Sequence, residues 1–399
     1  MKKRFSFILL AALVLILAGC SSFDETSRPM EGASVTGATL DEGDAGTYMP
    51  FTVRVEQTGD PIGVDFRGIL ATGSLRVQLL DSEGQAIWEE AVVSPGTFAV
   101  NTVVRPPESG EYQLGLAWDG PVQASYSLQW KPGEIEIATI SPVASLGGLG
   151  MIAVAVGFVI YAALRRLGWG YLGLGALAWV VTVMLKFAWA VPVNSFVYNG
   201  LYDALPEVIA ALLFYLYVGA LTGIFEVGVV WLVMRYTRLG RVSWKRALAF
   251  GIGFGAVEAL LLGLSSLGTV LTAVAVPGVF PLEALEQVSR LNNVLYGLAP
   301  ISERFFTVLV HILANVLIFY AIAQRRPKWF WLAFAYMTGL DAVAAFAQFW
   351  GLETLAKIWT IEAVVALWGI VGWLGIRWVQ QRYPNQAEAQ VVNRRETRL

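Results

Sequence analysis

"FGIGFGAVEALLLG", residues 250 to 263, decides how this chain must be read. The stretch is apolar enough for the middle of a bilayer, is studded with glycines, and carries one carboxylate, Glu258. Extended both ways it becomes an apolar segment near 247–275, longer than the ~20 residues a helix needs to cross hydrocarbon. Lipid offers no water to the backbone N–H and C=O groups, so such a segment is helical. Six further apolar segments, near 142–164, 169–191, 206–234, 301–323, 329–350 and 355–378, bring the expected crossings to seven. Composition agrees: 56% of residues are hydrophobic and 15% charged, against about a quarter charged in soluble domains. A net charge of −2 supplies no basic surface for nucleic acid.

The N-terminus reads "MKKRFSFILLAALVLILAGC": basic residues, an apolar run, then small residues, the order of a secretory signal. Its ending, "LAGC", resembles the lipobox of bacterial lipoproteins, which implies cleavage before Cys20 and lipid attachment there. An uncleaved anchor is the alternative. Cys20 is the one cysteine and His311 the one histidine, so neither an intrachain disulfide nor a Cys/His zinc cluster can be assembled. Residues 21–47 are polar and acidic and read as a flexible tether.

From residue 48 to about 135 the pattern alternates with period two, as in "FTVRVE", "SLRVQLL", "TFAVNTVV", "EYQLGLAW" and "ASYSLQW". "DSEG", "SPG", "PPESG" and "WDGP" separate the runs as turns. Six or more short strands at this spacing predict an antiparallel β-sandwich or jelly roll. It contains no catalytic constellation, and reads either as a binding module or as a spacer. The membrane domain follows over 136–382, then a tail, 383–399.

The connections fix an expected orientation. Arg165, Arg166, Arg235, Arg238, Arg241, Lys245, Arg246, Arg325, Arg326 and Lys328 fall on alternate loops, and Arg377, Arg382, Arg394, Arg395 and Arg398 on the C-terminal end. The positive-inside rule makes that side cytoplasmic. Seven crossings then put the β domain and a lipidated Cys20 outside the cytoplasmic membrane of a bacterium.

Lys186, Glu226, Glu258, Glu303, Arg304, His311, Asp341 and Glu362 lie inside expected spans. Each costs ~2.5–3.5 kcal/mol at the bilayer centre on insertion scales, so each should face the bundle interior and be partnered. Glu258, His311 and Asp341 sit roughly ten to twelve residues into their segments, near the midplane. Arg304, His311 and Asn315 share one helical face. Gly251, Gly253 and Gly255 let the fourth span approach a neighbour closely, aiming Glu258 into that contact. Lys186 is expected to snorkel to the outer interface, and Glu362 to be a satisfied polar contact. Glu303 either snorkels as well or pairs, with Arg304, to other buried groups.

Four segments carry a resemblance: "GALTGIFEVGVVWLVMRY" in the third span, "RALAFGIGFGAVEALLLG" in the fourth, "ISERFFTVLVHILANVLIFYAI" in the fifth and "FAYMTGLDAVAAF" in the sixth. Together they resemble the YhfC family of intramembrane metalloproteases, relatives of the glutamate-dependent CAAX-protease-like membrane proteins. The resemblance implies Glu226, Glu258, Glu303, Arg304, His311 and Asp341 as catalytic-site residues, and zinc as the family's cofactor. Val227, Val230, Phe254 and Met337 stand where the family pattern has Glu, Arg, His and His.

Neither Phe nor Met ligates zinc, and a catalytic zinc wants three protein ligands and an open position. A metal-free alternative uses Glu226 or Glu258 as general base, with Asn315 as oxyanion donor. Three functions follow as expectations: a membrane protein with an altered site that binds a transmembrane helix or lipid-linked group; an active intramembrane protease; or a sensor or transporter using the buried carboxylates.

Overall fold

The computed structural model describes residues 33–136 and 139–384, which form two units. The lipobox, Cys20 and the front of the tether lie outside the described residues, as does nearly all of the C-terminal tail.

The first unit is all-β with a helical addition. Its eight strands are β1 (Ala33–Glu42), β2 (Gly46–Val55), β3 (Ile62–Thr72), β4 (Leu75–Leu80), β5 (Ala86–Val92), β6 (Gly96–Val104), β7 (Gly110–Trp118) and β8 (Val122–Pro132). They form two four-stranded sheets, ordered β1-β8-β3-β6 and β2-β7-β4-β5. Antiparallel pairs nest inside one another, β4–β5 within β3–β6 within β2–β7 within β1–β8, which is jelly-roll order. Alternate side chains, among them Val53, Phe66, Val77, Leu114 and Leu128, fill the space between the sheets.

The tether reading is corrected from residue 33 onward: "ASVTGATLDE" is strand β1, paired with β8. Its polarity is that of an edge strand, whose outward side chains contact no core. β3 was also missing from the runs read, although Ile62, Val64 and Phe66 alternate with Gly63, Asp65 and Arg67; it is buried on both faces. On its second face Arg67, 1% exposed, pairs with Asp65, and Asn101 donates to Asp65 Oδ1 at 3.2 Å. That face is covered by residues 269–292, which belong to this unit. Arg67 donates to the carbonyl of Pro277 at 3.3 Å, and a short helix, α5 (Leu282–Arg290), follows with Leu282, Leu285 and Val288 buried.

The second unit contains seven helices long and apolar enough to cross a membrane. They are α1 (Pro142–Leu164), α2 (Trp169–Ala204), α3 (Glu207–Tyr236), α4 (Trp244–Ala275), α6 (Val294–Gln324), α7 (Lys328–Trp350) and α8 (Leu355–Arg382). Two exceed their expected lengths. α2 continues through Pro192 instead of stopping at 191, a proline being tolerated where neighbouring helices satisfy the backbone. α6 begins at Val294, where the Asn293 side chain accepts from the Leu295 amide at 2.9 Å.

α6 runs through the centre, buried continuously from Val310 to Ala321. α4 lies against it through glycine: a Cβ on Gly255 would meet Val308 Cα at 3.0 Å, and one on Gly251 would meet Ile312 Cα at 2.9 Å. Gly253 turns the other way, onto the carbonyl of Leu172 in α2. Gly251, Gly253 and Gly255 therefore alternate between two neighbours, and Gly263, which ends the quoted stretch, faces a third, Gly148 and Ile152 of α1.

Candidate functional site

α3 is not α-helical throughout. Gly223–Val229 forms a π turn between Glu207–Thr222 and Val230–Tyr236, and Glu226 sits in its middle. Such turns recur at functional sites, because one extra residue per turn re-aims the side chains beside it. Glu226 is 4% exposed. Lys186 of α2 donates to its Oε1 at 2.5 Å and to the Thr222 hydroxyl at 3.2 Å. Thr222 donates in turn to Asp341 of α7, whose carboxylate lies 3.8 Å from the Lys186 ammonium. Lys186 therefore does not snorkel: two carboxylates hold it inside the bundle.

A second cluster surrounds Glu258 of α4. Arg304 of α6 donates to Glu258 Oε1 at 2.6 Å and also pairs with Glu303. The other oxygen of Glu258 lies 2.5 Å from His311 Nε2, an ionic contact more than a well-aligned hydrogen bond. His311 is within electrostatic reach of Glu226 and Asp341 as well, so the clusters form one field. The structure thus places the acidic residues expected from α3, α4, α6 and α7 in two paired clusters, and of these carboxylates Glu258 is the one that touches the imidazole. Lys186 and Thr222 complete the set. Thr222 escaped the sequence reading because a hydroxyl inside a span is too common to signal anything.

Other expected residues fare differently. Asn315 donates from its side-chain nitrogen to the carbonyl of His311 at 2.9 Å, leaving Oδ1 buried without a partner. A carbonyl can only accept, which fixes the amide orientation. The atom of Asn315 left without a partner is then an acceptor, not the expected oxyanion donor. Glu362 is not the satisfied contact expected of it: its Oε2 is buried without a hydrogen-bond partner, within electrostatic reach of Glu303 and Arg304.

Val227, Val230, Phe254 and Met337 are all buried in the apolar core. The Phe254 ring packs against the His311 ring, centroids 5.2 Å apart. Among the described residues no three His, Cys, Asp or Glu side chains converge as a metal site. Glu258 and His311 come nearest, but Arg304 already supplies the cation to Glu258, and Lys186 supplies it to Glu226. The residues present do not fit a catalytic zinc.

The fold and this network define a class: a polytopic α-helical membrane protein with ionisable groups from several spans meeting in its interior. The family model for YhfC intramembrane metalloprotease matches residues 150–365. The chain belongs to that family. It is also 33% identical over 125 residues to the uncharacterized membrane protein YhfC of Bacillus subtilis (strain 168), covering 27% of this chain and 46% of that protein. The chain thus spans about half the length of this curated relative.

Two solved structures show slight likeness. One, described as Bacillus endospore appendages forming a novel family of disulfide-linked pili, has 8% identity and a TM-score of 0.16, covering 28% of this chain and 100% of that one. The other, infectious bursal disease virus Gx strain, has 15% identity and a TM-score of 0.19, covering 28% and 34%. At such scores neither bears on the fold or function.

Proposed function

We propose that this family member recognises a transmembrane segment at its polar network and does not hydrolyse it through a metal. The observation that supports this is the pairing of Glu226 and Glu258 with the chain's own Lys186 and Arg304. A carboxylate held between a guanidinium and an imidazole is poorly placed to activate water. Asp341 and Glu303 keep 31% and 37% of their side-chain surface exposed, and so can meet polar groups of a partner helix. On this reading the basic connections face the cytoplasm, the jelly roll lies outside, and Cys20 carries lipid. The charge asymmetry of the loops supports the orientation, and the "LAGC" ending supports the anchor.

The test is reconstitution in liposomes with candidate membrane-protein partners, alongside elemental analysis. Expected are crosslinking through the α3/α7 face, no peptide cleavage, and zinc far below one per chain. Cleavage abolished by Glu258→Gln, or stoichiometric zinc lost in His311→Ala, would overturn the proposal in favour of an active protease. Accessibility labelling of cysteines introduced at Gly59 and Arg238 tests the orientation. Mass spectrometry of the N-terminal peptide tests the anchor.

A further inference from the structure

Away from the ion-pair network, the membrane unit contains a groove of about 1180 Å³ between α1 and α8, floored by α4 and α6. None of the paired residues lines it. Its two ends differ in chemistry. At one end stand Arg165, Lys245 and Arg377, with Gln380 and Gln381 beside them and no acidic residue in the lining. The rest of the lining is apolar, including Phe158, Ile252, Phe305 and Leu309. Gly157 leaves its wall open: a Cβ there would meet nothing within 4 Å.

The three cations are uncommitted. The Arg165 guanidinium lies over the Tyr161 ring at 5.7 Å and that of Arg377 over the Trp373 ring at 4.3 Å. Neither they nor Lys245 pairs with a carboxylate among the described residues, in contrast to Lys186, Arg304 and Lys357. Dimension gives a second argument. From Gly150 to Arg165, both in the lining, α1 rises ~22 Å at 1.5 Å per residue. That is the depth of one leaflet with its headgroups, half of a ~40–45 Å bilayer. A slot apolar to leaflet depth and cationic at its mouth has the charge and shape of a phospholipid. A free anion would need no apolar slot, and a peptide would not require cations confined to one end.

We infer that the groove is a binding site for one anionic phospholipid, its phosphate on Arg165, Lys245 and Arg377 and an acyl chain laid past Gly157 over the α4/α6 floor. Basic pockets between spans recur as anionic-headgroup sites, but here the three residues and the apolar slot define a specific seat.

The experiment is native mass spectrometry of the full chain in detergent, titrated with phosphatidylglycerol or with phosphatidylcholine of identical acyl chains. Phosphatidylglycerol is expected to persist as a one-to-one adduct, held at least tenfold more tightly than phosphatidylcholine. The triple variant R165Q/K245Q/R377Q should lose that preference, weakening phosphatidylglycerol roughly a hundredfold at about fivefold per charge. R235Q/R238Q/R326Q, which neutralises basic residues outside the groove, should leave it intact. Gly157→Phe should weaken both lipids. Equal retention of the two lipids, or equal losses from the two triple variants, would refute the seat. Displacement of the adduct by millimolar inorganic phosphate would also refute it, by revealing a soluble-anion site. So would a co-purifying polypeptide in place of lipid.

Discussion

Replacing Lys186 with methionine removes the ammonium and keeps an unbranched apolar side chain of nearly the same length. Glu226, 4% exposed, then loses its cationic partner, and Asp341 keeps only the Thr222 hydroxyl. Breaking a buried pair from one side costs about 3–5 kcal/mol, because the remaining charge is left uncompensated. The lower end applies here, since Lys186 is 19% exposed and Asp341 31%, and the membrane-unfolded state finds partners of its own. About 3 kcal/mol is a fall of roughly a hundredfold in the folding equilibrium.

The companion variant, Lys186→Met with Glu226→Gln, removes both charges and should recover most of the loss, since neutral replacement of a whole pair is often harmless. Equilibrium unfolding in mixed SDS and dodecylmaltoside micelles, followed by tryptophan fluorescence, reads both. If the single variant unfolds within ~0.5 kcal/mol of the parent, at the level of an exposed pair, or if the double variant is no better than the single, the network does not hold the bundle interior as described.

The same unfolding assay separates two glycines. Gly253→Val drives a side chain into the Leu172 carbonyl, 1.9 Å from an ideal Cβ, and should cost ~3 kcal/mol as overpacking. Gly173→Ala meets nothing within 4 Å and should be neutral or stabilising by up to ~1 kcal/mol. In the jelly roll, Arg67→Met strands Asp65, 2% exposed. Amide exchange in β3 and β6 should accelerate by about a hundredfold or more, corresponding to ~3–5 kcal/mol. Adding Asp65→Asn should restore much of the protection.

Much of this architecture was legible in the sequence. The seven spans followed from apolar length, and five of the eight strands from strict alternation. β3 was legible by the same rule, since Ile62, Val64 and Phe66 alternate with Gly63, Asp65 and Arg67, yet it was not among the runs read; what only the fold shows is that residues 269–292 cover its polar face. β1 escaped because an edge strand need not look apolar. The site was half visible. Charges within apolar runs named Glu226, Glu258, His311 and Asp341, but the choice between snorkelling and pairing for Lys186 depends on which way α2 faces. Its hydrophobicity is spread around its circumference, so the sequence offered no amphipathic stripe to decide this.

The π turn at Gly223–Val229 has a further consequence for relatives of this chain. It fits one more residue into its stretch of backbone than ordinary winding would hold. Losing a single residue from that turn would let the winding relax to an ordinary helix, leaving the two halves of the span facing as before but re-aiming the side chains within the turn. Glu226 would then be carried off Lys186 while the span stayed long enough to cross. Relatives differing by one codon here could present different chemistry to the same interior without exchanging a single ionisable residue.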